Sequence, residues 1–535
     1  MNRLRELGIH GILAGFQGNV PKQMPEIFPH ANTQNGWLDG MDPLFDKIGR
    51  EIAAGQQNEF GPAEFIEADG WFELQTGPWY SSDMATGTGS AGGMGDGSKT
   101  VIDVSATIDD ALGMTLVGDG GPSADAAQAA LDDDSGCLGG FRIPTEQEAF
   151  ARATNVFSSL VSANPNATWI YQGYPWFRVH SQGASCNQTR LRHFIKGFVD
   201  AIPKDRLLVL DLVADSPGRA LWRYPDDPVL GRFARNATLI WCALSNWGGA
   251  VYLGGDIEYV LNDTRAAMAT DLVDGVGLTP EGIDTSPAYF SLVLDSAWTT
   301  EPTAVGWLQR WGDSRCGQKG VALVEKAYAL LAESVYRPGI PYLFCCSQPA
   351  YCQTVTPDQR PARPAYNVTV LREALEAMVA AAPVCDSDSF NYDLVDVARE
   401  WLSMDVCLEK FDAVDSKAPV ADLKAQVAAL LEIYHDTDAI MGTTSGFLLG
   451  DWLKKSRQVS DWDGSDGTLA NFCEPSGQEL PTHFAPPRNA RSFGPFVRPR
   501  RSCRLSRCTV CTSCSFAIEP VASTCGLRLL LPTRR

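Results

Sequence analysis

Along the first half of the chain, apolar side chains come in short runs with almost no polar alternation, at residues 8–16, 64–72, 168–174, 207–213, 239–244 and 273–278. Helical patterns separate several of them. One starts at Asp42, a side chain suited to an N-cap with Pro43 at the first helical position, and is expected to run to Ala54. Others are expected from Pro144-Thr145-Glu146 to about Ser162 and over 190–201. Strands that lack polar alternation and are joined by helices predict a parallel sheet covered on both faces. Each run empties into a loop rich in Trp, Asn, Gly or Glu, as on the functional rim of a (β/α) barrel. Six strands can be counted where a closed barrel needs eight. Either the sheet is open or about two strands precede Met1; the opening residues Met1 to Gly8 read as the last turns of an amphipathic helix, which favours the second. From Gly320 the pattern is helical, at 320–336, 368–381, 392–412, 420–435 and 444–457. The expected fold class is therefore α/β: a (β/α)8-type TIM barrel over 1–318 lacking its first strands, followed by an all-α domain over 319–480.

Two segments stand apart from this plan. Residues 81–142 are rich in Gly, Ser, Asp and Ala and read as a flexible insertion. Residues 483–535 carry ten Arg, no Lys and one acid, Glu519, whereas the remainder holds 34 basic and 63 acidic groups. So abrupt a reversal reads as foreign sequence, disordered or out of frame. Cys508, Cys511 and Cys514 have a spacing that could suggest a metal knot, but no apolar periodicity surrounds them.

Composition narrows the classes. Apolar residues make up 44% and charged residues 20%, which predicts a globular protein. A net charge of −20 argues against nucleic acid or an anionic membrane as the main partner. No run of about 18 apolar residues is present, so no bilayer span is expected. Sequons at Asn166, Asn187, Asn236, Asn262 and Asn367 lean toward a secreted or lysosomal setting, as do the fifteen cysteines. Cys345, Cys346 and Cys352 are close enough to suggest disulfides, whereas Cys242, inside an apolar run, reads as a buried free thiol.

The chemistry is expected at two strand ends. The last apolar run delivers Glu281 to a Pro-Glu-Gly turn, among apolar or small neighbours with Asp284 the nearest other charge. Glu73 follows the second run in the same way. Two carboxylates at the ends of parallel strands are what glycoside hydrolysis requires: one protonates the leaving oxygen, and the other attacks the sugar carbon or activates water. The plainer reading is that both are surface groups, because strand-end glutamates are common.

Many short motifs then fall in one order: Gly18-Asn19-Val20-Pro21, Asp42-Pro43-Leu44-Phe45, Glu59-Phe60-Gly61, Ala68-Asp69 with Glu73, Gln172-Gly173, Arg206 to Leu212, Ile240-Trp241-Cys242, Asn246-Trp247-Gly248-Gly249 and Gly277 to Gly282. In these, from about Met1 to Pro481, the chain resembles the family 89 glycoside hydrolases, the α-N-acetylglucosaminidases. The resemblance implies that Glu73 is the general acid/base and Glu281 the nucleophile of a retaining mechanism. It also implies removal of terminal α-linked N-acetylglucosamine from glycans such as heparan sulfate, with no metal or other cofactor, and a secretory, lysosomal or extracellular location. Asp69 and Asn246 are candidates for gripping hydroxyls, and Trp71, Tyr174 and Trp241 for stacking on the pyranose. For Trp241, in mid-strand, a core role is the competing reading. Two positions depart from the family pattern: Phe72 stands where an Asn precedes the acid, and Tyr174 where the family has Trp. The departure at Phe72 motivates a second reading, a catalytically inactive glycan-binding homologue; a third is a barrel glycosidase of different sugar preference. The sequence leaves the oligomeric state open.

Overall fold

The structure is a computed structural model describing residues 4, 6–21, 23–34, 36–68, 79, 143–173, 188–227, 231, 235–245, 253–280, 286–338, 366–385, 387–403 and 418–448. The expected insertion at 81–142, the tail at 483–535 and Cys345, Cys346 and Cys352 lie outside those residues. Contacts divide the chain into two units, one of Met1–Ala243 with Ala266–Thr279, the other of Leu244–Arg265 with Pro280–Arg535.

The first unit is built on a six-stranded sheet: β1 (Ile12–Ala14), β2 (Phe65–Glu67), β3 (Thr168–Gln172), β4 (Leu207–Asp211), β5 (Thr238–Ala243) and β6 (Gly275–Leu278). The strands pair in chain order and every pairing is parallel, with Ile12 opposite Phe65, Ile66 opposite Trp169, Ile170 opposite Leu208, Leu210 opposite Ile240 and Trp241 opposite Val276. Such an order never reverses, which separates it from a doubly wound sheet. With right-handed crossovers that all advance one way, the helices fall on one face and the sheet curls as a barrel wall does. The apolar runs of the sequence are these strands, though the first is shorter than expected. β1 is an edge strand, and its Ile12 is 53% exposed.

Helix α1 (Pro43–Phe60) starts where the sequence places it. The Asp42 carboxylate accepts from the Leu44 amide (2.8 Å) at the N-cap and from the Asn32 amide (2.7 Å) with its other oxygen. The helix runs past the expected end at Ala54, and near its far end Gln56 Nε2 donates to the Ala14 carbonyl of β1 (2.8 Å). α2 (Glu146–Leu160) opens with a capping box in which Thr145 and Glu148 satisfy each other's amides. Arg152 of α2 makes a buried two-pronged contact with Asp39 (3.2 and 3.3 Å), bracing the chain that leads from β1 into α1. α3 (Gln188–Asp200) follows β3 and packs against α2.

Helix α4 (Ile257–Met268) lies between β5 and β6 in the chain. The second unit continues with α5 (Pro287–Asp295), α6 (Ala304–Cys316), α7 (Ala322–Glu333), α8 (Val368–Ala381), α9 (Asp388–Trp401) and α10 (Val420–Met441). Its centre holds a buried polar knot. The Arg315 guanidinium grips Asp393 (2.6 and 2.9 Å), and the Tyr328 hydroxyl donates to the same carboxylate (2.6 Å). A disulfide joins Cys316 to Cys385 across 69 residues. α9 begins at Asp388, four residues before the expected start at Tyr392, because the Ser387 hydroxyl caps the Phe390 amide (3.1 Å). The helix expected from Thr444 begins instead as a single 3-10 turn, Ser445–Phe447, with the Phe447 ring stacked on Tyr392 (4.7 Å); beyond 448 it lies outside the described residues. Among the described residues no helix is long and apolar enough to cross a membrane.

Candidate active site

The rim where the chemistry is expected lies at the C-terminal ends of the strands. There the ladder runs one residue beyond β1, β3 and β6: Gly15 N–H donates to the Glu67 carbonyl (2.7 Å), Gly173 to Leu210 (2.7 Å) and Thr279 to Ala243 (2.9 Å). The segments after these three strands therefore leave from fixed backbone positions. Gly277 keeps β6 close to β5, because a Cβ there would lie 3.0 Å from Ile240 Cγ2 and 3.1 Å from Cys242 Sγ. Pro280 follows directly, and Glu281 is the next residue.

Ala68 and Trp79, the described residues nearest to Asp69, Trp71 and Glu73 in the chain, both meet the Trp169 side chain. The Ala68 carbonyl accepts from the Trp169 indole N–H (2.6 Å). Trp79 is fully buried and stacks parallel to the Trp169 ring, with centroids 6.5 Å apart and planes 6° off parallel. Phe198 closes edge-on to both rings, at 5.5 and 5.3 Å. Trp79 and Trp169 had no place in the sequence reading. The Trp-rich stretches on either side of Glu73 were the available signal, but their pairing is tertiary.

Glu73, Glu281, Asp69, Trp71, Tyr174 and Asn246 lie outside the described residues. Trp241 is described. It sits in β5 opposite Asp211 and Val276 and has no exposed surface, so of its two readings the core role is the one its burial fits. Ser245, directly before Asn246, has φ 50°, the left-handed region, which no other described non-glycine residue adopts. Such backbone strain collects at functional sites. Asp211, at the end of β4, is buried and accepts from the Leu221 amide (2.7 Å), ordering the loop beyond it. Cys242 is a free, buried thiol, as expected. Burial and then the nearby Asp211 and Asp215 push it well above the usual thiol range, so it stays protonated and unreactive. Among the described residues no group of His, Cys, Asp and Glu is placed to hold a metal ion.

Comparison with known proteins decides the lineage. The model of the alpha-N-acetylglucosaminidase tim-barrel domain matches residues 1–91 and 143–300, and that of the same family's C-terminal domain matches residues 307–472. Together they take in well over half of the chain. The chain belongs to the alpha-N-acetylglucosaminidase family. Positions 73 and 281 both fall within the stretches matched by the family's barrel model, whose break at 92–142 falls within the expected insertion.

The human alpha-N-acetylglucosaminidase is 25% identical over 526 residues, covering 92% of this chain and 58% of the human protein. A family 89 glycoside hydrolase from Clostridium perfringens, solved with PUGNAc, has a TM-score of 0.63 at 18% identity, over 90% of this chain and 47% of its own. The same bacterial enzyme, solved with its substrate GlcNAc-alpha-1,4-galactose, has a TM-score of 0.61 at 18% identity, over 90% and 46%. The chain thus spans little more than half of the curated alpha-N-acetylglucosaminidase it matches and under half of these solved chains.

Proposed function

We propose that this family member is a retaining glycosidase that removes terminal α-linked N-acetylglucosamine. In this reading the sheet belongs to a (β/α)8-type barrel, and the later helices form an all-α domain. Glu281 attacks the anomeric carbon while Glu73 protonates the departing oxygen. Glu73 then takes a proton from the water that breaks the glycosyl-enzyme bond. The mechanism needs the two carboxyl groups about 5–5.5 Å apart, with Glu73 held protonated and Glu281 ionised. Asp69 and Asn246 grip sugar hydroxyls, and Trp71 and Tyr174 offer stacking faces. The observation that carries the reading is that both glutamates sit in collinear family motifs inside the matched barrel region.

The substrate in this reading is a glycan ending in an α-linked N-acetylglucosamine: heparan sulfate is the one the family resemblance implies, and the bacterial enzyme is solved with its substrate GlcNAc-alpha-1,4-galactose. A secretory or lysosomal setting is supported by the Cys316–Cys385 disulfide and by exposed sequon asparagines at 166, 262 and 367. Phe72, beside Glu73, favours a second reading in which the chain binds glycans without cleaving them.

Hydrolysis of 4-nitrophenyl N-acetyl-α-D-glucosaminide separates the two. Release of the α-anomer of N-acetylglucosamine, seen first by NMR and lost in Glu281→Gln, is the expected result. Glycan binding without turnover would favour the second reading. A panel of other nitrophenyl glycosides tests for a different sugar preference.

A further inference from the structure

Two segments that leave the rim are caught in the second unit by buried polar groups that come later in the chain. The first starts at Ser245 after β5 and carries Asn246. Where it becomes described again, the Leu253 amide donates to Glu400 Oε2 of α9 (3.3 Å). The other oxygen, Oε1, accepts from the Tyr366 hydroxyl (2.6 Å). Leu253 is 4% exposed and Glu400 has no exposed surface. Two residues on, Gly255 has φ +114°, and a Cβ there would lie 2.3 Å from the Tyr289 ring of α5, so the backbone runs flush against that ring.

The second segment carries Glu281 and becomes described at Ser286, five residues later. The Ser286 hydroxyl caps α5 by accepting from the Tyr289 amide (3.4 Å) and shares a hydrogen bond with the buried Tyr336 hydroxyl. Tyr289 therefore touches both segments.

A fully buried carboxylate on a helix needs a reason, since an apolar side chain would bury more cheaply. Here the reason is local. Leu253 lies in no strand or helix, and its buried N–H requires an acceptor. We propose that Glu400, held by Tyr366, is a positioning residue that fixes the return of the loop carrying Asn246, as Tyr336 and Ser286 fix the return of the segment carrying Glu281. The helices matched by the family's C-terminal model thereby hold loops that arise from its barrel region. The effect on catalysis rests on the glycosidase reading above; the anchoring of the loop does not.

The test uses the full chain with Glu400→Gln and Glu400→Leu. Hydrogen–deuterium exchange is followed in the peptides spanning 244–256, and KM and kcat are measured on 4-nitrophenyl N-acetyl-α-D-glucosaminide. In Glu400→Leu those peptides should exchange about tenfold faster, the factor expected for loss of one buried hydrogen bond, while peptides of α1 and α2 stay at wild-type rates. KM should rise more than kcat falls, and Glu400→Gln, which keeps an acceptor for Leu253, should restore both. A folded Glu400→Leu protein with wild-type exchange at 244–256 overturns the anchoring. A loosened segment with unchanged KM and kcat in an active enzyme overturns the positioning role. If Glu400→Leu does not fold, Tyr366→Phe decides: it removes one hydroxyl and should move exchange in the same direction, and no change counts against the proposal. If the wild-type chain hydrolyses nothing, the glycosidase reading falls, and exchange alone still judges the anchor.

Discussion

Glu400 makes the stability of this chain depend on pH in an unusual direction for a carboxylate. Its side chain is wholly buried, and burial raises its pKa from 4.5 to about 7, against the opposing pull of Arg399 and of hydrogen bonds from Tyr366 and the Leu253 amide. Asp396, paired with Arg399, adds to the rise. Because the folded state holds this proton more tightly than the unfolded chain does, the stability it contributes is fully present below about pH 4.5. That contribution is lost as pH climbs through about 7. With 1.36 kcal/mol for each pKa unit, the loss between pH 5 and pH 8 is roughly 2–3 kcal/mol. Glu400→Gln has no proton to lose, and its amide can accept from Leu253 while donating to the Tyr366 oxygen. Urea unfolding of both proteins at pH 5, 6, 7 and 8 should therefore show the variant gaining on wild type by roughly 2–3 kcal/mol across that range. Asp393, also raised by burial, contributes with the same sign in both proteins and cancels in the difference. A wild-type-to-variant difference that stays constant from pH 5 to pH 8 would refute the reasoning.

Arg315→Ala should destabilise the helical unit by about 3–5 kcal/mol, because it strands the buried Asp393 carboxylate. Arg315→Met combined with Asp393→Leu should cost much less, and denaturant melts of the two check this. Reduction of the Cys316–Cys385 bridge, or Cys385→Ser, frees a loop closed across 69 residues and should cost about 4 kcal/mol by chain entropy, read as a lower Tm with reductant than without.

The strands of the sheet were legible in the chain because they fall in apolar-rich runs with little polar alternation, the pattern that a strand covered on both faces imposes. Strand ends were harder to place. β1 keeps only Ile12–Ala14 of a nine-residue run, since pairing stops where β2 stops offering partners. Helices α4, α5 and α6 escaped the reading; α5 is apolar on nearly all sides, so no face stands out at a helical period. The disulfide could not be read, because fifteen cysteines allow too many pairings. Glu400 falls inside the helical pattern expected at 392–412 with nothing to mark it, and only the fold reveals the loop amide it serves. The proposed pair, Glu73 and Glu281, rests on motif order and strand-end position, whereas the Trp169 contacts with Ala68 and Trp79 cross about a hundred residues.

Turnover by the chain and by Glu281→Gln, with the anomer followed by NMR, bears most directly on the central claim. The account predicts release of α-anomeric N-acetylglucosamine from the 4-nitrophenyl α-glycoside, slowed by about 10³-fold or more when the nucleophile is replaced. Hydrolysis that survives Glu281→Gln, or that first yields the β-anomer, would contradict it.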